Sequence, residues 1–176
     1  CGGGVKGMGG TYAEFISTDE RLLAKKPSCL SMREAAALPL VSITAWDGLK
    51  RAGLKVNENI LVHGGAGGVG HVAIQLARSF GANVFTTVSN NEKSEIAISL
   101  GAKETIDYNT IEVEEYVQSI TNGKGFDVVF DATGGSNISN SFAASKLNGN
   151  VVSIVSQFDA DLTLMQTKGL SLHIVF

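Results

Sequence analysis

The segment from Asn59 to Gly70 constrains this chain more than any other. A continuous apolar run, Asn59–His63, is followed at once by Gly65-Ala66-Gly67-Gly68-Val69-Gly70 and then by a helix-forming stretch. A G-x-G-x-x-G run is common, but one placed between a strand and a helix fits few architectures. The pattern that follows agrees with it. Strands are expected over 59–63, 84–88, 105–108, 126–131, 151–155 and 170–176. Helices are expected over 68–80, 91–100, 111–121 and 137–147, with a short helical piece near 162–167. Gly81, Gly101 and Asn122-Gly123 supply stops. Strands alternating with helices make βαβ units. Unbroken Val/Ile/Phe strands are those of a parallel sheet covered on both faces. The fold class read from this is α/β, a doubly wound, parallel, six-stranded Rossmann sheet.

Upstream the pattern is weaker. Residues 1–10 read as a Gly-rich loop and 11–17 alternate like a strand. Ser31 and Glu34 form a capping box for a short helix from Met32 to about Leu38, stopped by Pro39. A second helix is expected from Ile43 to about Arg51, with Gly53 as its cap. The chain begins at Cys1 and six of its first ten residues are Gly, so an internal piece of a longer protein is expected.

Composition narrows the function. Glycines number 21 of 176, well above the usual share of about 7%, yet without a collagen period. A net charge of -3 with no Lys/Arg block speaks against a nucleic-acid partner or an anionic membrane surface. No apolar run reaches the length of a membrane span. Cys1 and Cys29 make no disulfide framework and suit a reducing, cytoplasmic setting. His71 and His173 lack metal-ligand spacing and read as structural. No G-x-S-x-G elbow is present, and no catalytic residue is nominated.

The glycine motif therefore reads as a dinucleotide site. Gly65 is expected to make the tight turn, Gly67 to admit a pyrophosphate, and Gly70 to let the helix pack on the sheet. NAD sites place an acid at the end of the second strand, about 20 residues on, for the ribose 2′-hydroxyl. This chain has Val88-Ser89-Asn90-Asn91-Glu92-Lys93 there. Lys93 stands in the first turn of a helix, where a cation is disfavoured unless an anion offsets it. The expectation is NADP(H), with Ser89 and Lys93 at the 2′-phosphate. The ligand crevice should lie at the carboxyl ends of the strands, nominating His63, Ser89, Tyr108, Asp131–Gly135 and Val155-Ser156. His63 in such a place is more often a loop or core histidine, and Asp131 also reads as a group that simply bonds backbone N–H groups.

Several segments together resemble the medium-chain dehydrogenase/reductase superfamily, most closely its zinc-independent quinone oxidoreductase (zeta-crystallin-like) branch. They are Gly10-Thr-Tyr-Ala-Glu-Phe15, Ala35-Ala-Ala-Leu-Pro39, Thr44-Ala-Trp46 and Val62–Gly70. Gly101-Ala102, Ile106-Asp-Tyr108, Asp127–Asp131 and Gly149–Val152 follow in the same order. The resemblance implies residues 1–27 as the end of a GroES-like substrate domain and 28–176 as an NADP(H)-binding Rossmann domain. It implies Thr44 near the nicotinamide and Ala66, Gly67, Gly68 and Val69 at the pyrophosphate. It further implies Ser89, Lys93 and Tyr108 around the adenosine phosphate. Gly135, Ser153, Ile154, Val155 and Ser156 would flank the ribose and nicotinamide. The implied activity is NADPH-dependent reduction of a quinone or an α,β-unsaturated carbonyl. This piece alone is expected to be inactive, and the implied assembly is a homodimer through Leu170–Phe176. Zinc alcohol dehydrogenases of the superfamily carry a Cys shortly before the residue matching Thr44. Here that stretch is Pro39-Leu-Val-Ser-Ile43, so no metal is expected. A zinc-dependent alcohol dehydrogenase domain and a non-catalytic dinucleotide-binding or redox-sensing module are the alternatives.

Overall fold

The computed structural model describes residues 10–176. The Gly-rich loop expected over 1–10 lies outside them, Gly10 apart. The described residues fall into two compact units that divide between Val41 and Ser42.

In the first unit a 3-10 turn, Glu20–Leu22, is capped by Asp19, whose carboxylate accepts from the Arg21 N–H at 2.9 Å. The strand expected over 11–17 is not formed: these residues are bends and irregular chain, exposed throughout. An extended segment without a paired neighbour leaves its backbone groups to water and gains no ladder. Helix α1 (Met32–Arg51) opens on the expected capping box. The Glu34 N–H donates to Ser31 Oγ at 3.2 Å, and the Ser31 N–H donates to Glu34 Oε2 at 2.8 Å. Two helices broken at Pro39 were expected, but one helix runs through it. Pro39 removes a single N–H that would have bonded the Ala35 carbonyl. The remaining ladder, the box, and burial of Thr44, Ala45, Gly48 and Leu49 outweigh that loss.

The second unit alternates strand and helix from residue 59 onward. Its elements are β1 (Asn59–His63), α2 (Gly68–Ser79), β2 (Asn83–Val88), α3 (Asn91–Leu100), β3 (Glu104–Asp107) and α4 (Val113–Thr121). Then come β4 (Phe126–Asp131), α5 (Ile138–Ala144), β5 (Ser145–Ser153), α6 (Thr163–Lys168) and β6 (Ser171–Ile174). All pairings are parallel, in the order β3-β2-β1-β4-β5-β6. This is the doubly wound order, with the chain reversing direction across the sheet between β1 and β4. The largest difference from expectation is at α5, which ends at Ala144 while β5 starts at Ser145. Asn148 in the left-handed region (φ 56°) and a register shift between Phe126 and Val128 let the chain join the sheet early.

One face of the sheet buries Leu61, Phe85, Phe126 and Val129 against Tyr116 of α4 and Phe142 of α5. Phe85 and Phe126 rings lie 5.6 Å apart in tilted contact. The other face carries α2 and α3, and there α1 approaches so closely that Gly48 has no room for a side chain. Under the sheet, the Lys168 ammonium donates to the carbonyls of Ala143 and Ser145, each at 2.7 Å, and of Phe142 at 3.2 Å. A cation is thereby placed on the free carbonyls at the end of α5. No described helix is long and apolar enough to cross a membrane.

Two glycines of the α1 region should respond differently to alanine. A Cβ at Gly48 would stand 2.6 Å from the Phe130 ring and 2.7 Å from Val152. Gly48→Ala should cost about 1–3 kcal/mol by overpacking. Gly53 meets nothing but holds φ +64°, so Gly53→Ala should cost about 1 kcal/mol through backbone strain alone. Urea denaturation of both variants checks the order, and a more damaging Gly53→Ala would contradict it.

Candidate nucleotide-binding cleft

The carboxyl ends of β1, β2, β3 and β4 open on a cavity of about 500 Å³, a size usual for small-molecule sites. Its floor is the turn from β1 into α2. Gly64, not Gly65, takes the left-handed conformation there, with φ +74°. Gly65 is required for a different reason: a Cβ on it would overlap the Thr86 hydroxyl, which donates to the Val62 carbonyl at 2.6 Å. A Cβ on Gly70 would overlap the Gly64 carbonyl, so α2 sits directly against the turn. Gly67 precedes α2 with no side-chain cap, leaving the first-turn N–H groups free for an anion.

At the end of β2 the Lys93 ammonium donates to Ser89 Oγ at 2.9 Å. The Asn90 side chain caps α3 by accepting from the Lys93 N–H at 2.9 Å, which fixes the lysine in the first turn. Ser89, Lys93 and the half-exposed Tyr108 line the same cavity. Glu112 also lines the cavity, and Asp107, the register partner of Val88, is engaged in its own turn, where its Oδ1 accepts from the Asn109 N–H and Nδ2, both at 2.9 Å.

Behind the turn lies a buried pair. His63 and Asp131 are register partners on β1 and β4. Asp131 bonds inward: Oδ1 accepts from the Thr133 N–H (2.9 Å), the Thr133 hydroxyl (2.7 Å) and the Gly134 N–H (2.9 Å). Its Oδ2 accepts from the Ser141 hydroxyl at 3.2 Å. Burial opposes its ionisation, but the Gly134 N–H, the Thr133 hydroxyl, His63 and the Thr133 N–H together hold its pKa below the usual carboxylate value. Asp131 is therefore a structural anion that ties the loop after β4. His63 is only 3% exposed, and burial pushes its pKa down to about 4 against the pull of Asp131. Its Nδ1 lies 3.3 Å from Thr87 Oγ1, which accepts from the Gly64 N–H at 3.2 Å.

Of the residues nominated from sequence, Ala66, Gly67, Ser89, Lys93 and Tyr108 line the cavity together. Gly65, Gly68, Val69 and Gly70 build the turn and helix start beneath it. Thr44 is buried in α1 and Gly135 opens the turn after β4. Ser153, Ile154, Val155 and Ser156 run from the end of β5, outside this lining. There the Ser153 hydroxyl donates to the Val155 carbonyl at 2.9 Å. Sequence reasoning missed Thr87, Tyr116, Asn137 and Asn140, which also line the cavity. Thr87 and Tyr116 sit in patterns that read as ordinary core strand and helix, and the two asparagines follow no motif. No group of three or more His, Cys, Asp or Glu among the described residues could hold a metal ion.

The buried histidine has a measurable consequence. An unfolded His titrates near 6.5. With the folded value about 4, the unfolded state binds the extra proton between those values, so stability falls as pH drops through that window. The loss should total about 3 kcal/mol. Asp131, held low, adds its loss only below about 3.9. In His63→Gln the fall between pH 6.5 and 4 should flatten, as read by urea denaturation at stepped pH. An unchanged slope would show that His63 is not held neutral.

Residues 68–172 match the family described as zinc-binding dehydrogenase. The described residues supply no zinc ligand set, so no chemistry here is routed through that metal. The chain is 45% identical over 126 residues to 2-methylene-furan-3-one reductase of Solanum lycopersicum, covering 71% of this chain and 31% of that protein. It superposes on an alcohol dehydrogenase superfamily protein from Novosphingobium aromaticivorans with a TM-score of 0.89 and 44% identity, covering 96% of this chain and 50% of that one. Escherichia coli quinone oxidoreductase complexed with NADPH matches with a TM-score of 0.78 and 31% identity, over 87% of this chain and 49% of that one. The chain thus spans about half the length of those solved structures and under a third of the plant reductase. With the sheet order and the glycine turn already in place, the match shows that the chain belongs to the zinc-binding dehydrogenase family of the medium-chain dehydrogenase/reductase superfamily.

Proposed function

We propose that this chain is the NADP(H)-binding domain of an oxidoreductase that reduces a quinone or an α,β-unsaturated carbonyl. The observation that carries the cofactor choice is the contact between Lys93 Nζ and Ser89 Oγ at the end of β2. A cation and a hydroxyl stand together where NAD sites place a carboxylate, and Asp107 is turned to its own loop. The substrate class rests on the plant enone reductase and the bacterial quinone oxidoreductase among the relatives.

A bound reduced nicotinamide would supply the hydride, and the protein's part is to place it and keep water away. The free N–H groups of Gly68 and Val69 at the start of α2 would bind the pyrophosphate, with Gly67 leaving the approach open. Ser89, Lys93 and Tyr108 would hold the adenosine phosphate. Thr44, Gly135 and Ser153–Ser156 would flank the nicotinamide ribose and ring. Residues 1–27 would close a GroES-like substrate domain. The edge strand β6, with Ile174 exposed at its end and Phe176 exposed after it, would pair with a second copy in a homodimer. The unpaired, exposed Cys29 thiol fits a reducing, cytoplasmic compartment.

Lys93→Ala tests the cofactor reading. Losing a charged hydrogen bond to a phosphate should weaken NADPH binding about tenfold to a hundredfold. NADH binding should stay within about twofold, because NADH has no 2′-phosphate to lose. Calorimetric titration of both cofactors checks this. Equal binding of NADH and NADPH by the unaltered protein would overturn the assignment. Turnover of NADPH with a panel of quinones and enones by the full-length protein tests the reaction. Tight cofactor binding without turnover of any acceptor would point instead to a non-catalytic module.

A further inference from the structure

The sheet has two edges, and they differ in chemistry. β3 reads Glu104-Thr105-Ile106-Asp107, with a carboxylate at each end. β6 reads Ser171-Leu172-His173-Ile174 and carries no Asp, Glu, Lys or Arg. Charged side chains on an edge strand discourage pairing with another chain. One edge is thus guarded and the other is not.

The unguarded edge has a defined register. The Val175 N–H donates to the Ser153 carbonyl at 3.0 Å, so the backbone groups of Ser171, His173 and Val175 turn toward β5. Those of Leu172 and Ile174 alternate with them and turn outward. A second copy that continues the sheet about a twofold axis normal to it lies antiparallel to β6. Outward-turned residues then pair with outward-turned residues. One register alone pairs both outward residues of β6 with each other, Leu172 with Ile174 of the second copy and Ile174 with its Leu172. Leu172 packs on the core and Ile174 is 39% exposed, so each pair is apolar and covers Ile174. That register centres the axis on His173, which then faces His173 of the second copy. Both have their backbone groups turned away, so this is a non-hydrogen-bonded pair, with Cα atoms about 4.5 Å apart and side chains close.

His173 is half-buried, and its Nε2 donates to Asn150 Oδ1 at 3.1 Å, which ties the ring to β5. On that face β5 presents Asn150 and Val152, and β6 presents Ser171 and Val175. Helix α1 reaches Val152 at Gly48. None of these titrates. The charged residues of α1 beside Gly48 are engaged elsewhere, Arg51 with Asp47 at 2.8 Å and Lys50 over the Trp46 ring. In the pair, the titratable group that faces each imidazole is the other imidazole.

We infer that β6 pairs with its copy in the register that sets His173 opposite His173, and that protonation of this pair loosens the dimer. The inference rests on the homodimer reading above and adds to it a register and a control. Imidazole is the side chain whose charge changes between pH 5 and 8. Two neutral rings fit side by side, whereas like charges directly opposite across a strand pair repel. The dimer therefore binds fewer protons than two separate subunits, and acid favours separation.

The test uses the full-length protein. Between pH 7.5 and 5.5, sedimentation equilibrium should show the dimer Kd rising about fivefold to tenfold. In His173→Asn the rise should shrink to under about twofold. The acid response of His63 is common to both proteins and cancels in the comparison. Mild oxidation of His173→Cys should link the subunits covalently, because Cα atoms about 4.5 Å apart are within disulfide reach. Leu172→Cys and Ile174→Cys, each standing apart from its own equivalent, should link no more than the unaltered protein does. Linkage through either of those two, or a dimeric His173→Cys that does not link, overturns the register. A Kd unchanged between the two pH values, or a rise that His173→Asn keeps, overturns the control. A protein that is monomeric at every concentration ends the homodimer reading as well and leaves the cofactor reading standing.

Discussion

The seating of α2 against the β1 turn is the constraint on which the rest of the cleft depends. Gly70 lies against the Gly64 carbonyl with no space for a single added carbon. That contact brings the open end of the helix over the sheet, at the point where the winding reverses between β1 and β4. Gly65 closes in on Thr86 in the same way, so the turn is locked to both β1 and β2. The hydrogen bond from the Gly64 N–H to Thr87 then carries the turn's position to His63. A cleft wall two strands wide is fixed by close backbone approach, with few side chains involved. Wherever an anion sits above α2, its distance from Ser89 and Lys93 is therefore set by the sheet.

The two ends of the cleft manage charge differently. On the β2 side the cation of Lys93 stands in the first turn of α3, against the helix dipole, and is held there by Asn90 and Ser89. On the β4 side the anion of Asp131 is satisfied from within, by four hydrogen bonds and no solvent-facing role. The first arrangement leaves a charge to be answered by something outside the protein, and the second answers its own. This asymmetry separates an open charge from a self-satisfied one more clearly than the residue types do.

Much of the architecture was legible because strands and helices here follow hydrophobic period and glycine stops. β1, α3 and β4 fall where the pattern placed them. Misreadings came where one residue's local preference opposed several neighbours. Pro39 predicted a break, but one missing N–H is a small loss within a twenty-residue helix. The alternating run at 11–17 had the right period and no strand beside it. In the turn, sequence assigned the tight turn to Gly65, whereas the left-handed residue is Gly64; a motif gives the spacing of its glycines without distinguishing strain from steric contact. Within the cleft, Ser89 and Lys93 were nominated because an expected carboxylate was missing, and Tyr108 because it follows the carboxyl end of a strand; all three line the cavity. Tyr116 and Asn137 gave no such signal, because their place in the lining depends on tertiary packing alone.

The sheet ends on one side at β6, four residues long, bonded only to β5. A row of backbone groups left open on such an edge behaves as a reactant. Any chain that adds to it binds the folded state and not the unfolded one, so mass action ties the melting temperature to how much of that chain is present. Were the added chain a second copy, dilution would act as a perturbant, first on β6 and only through β5 and β4 on the nucleotide cleft.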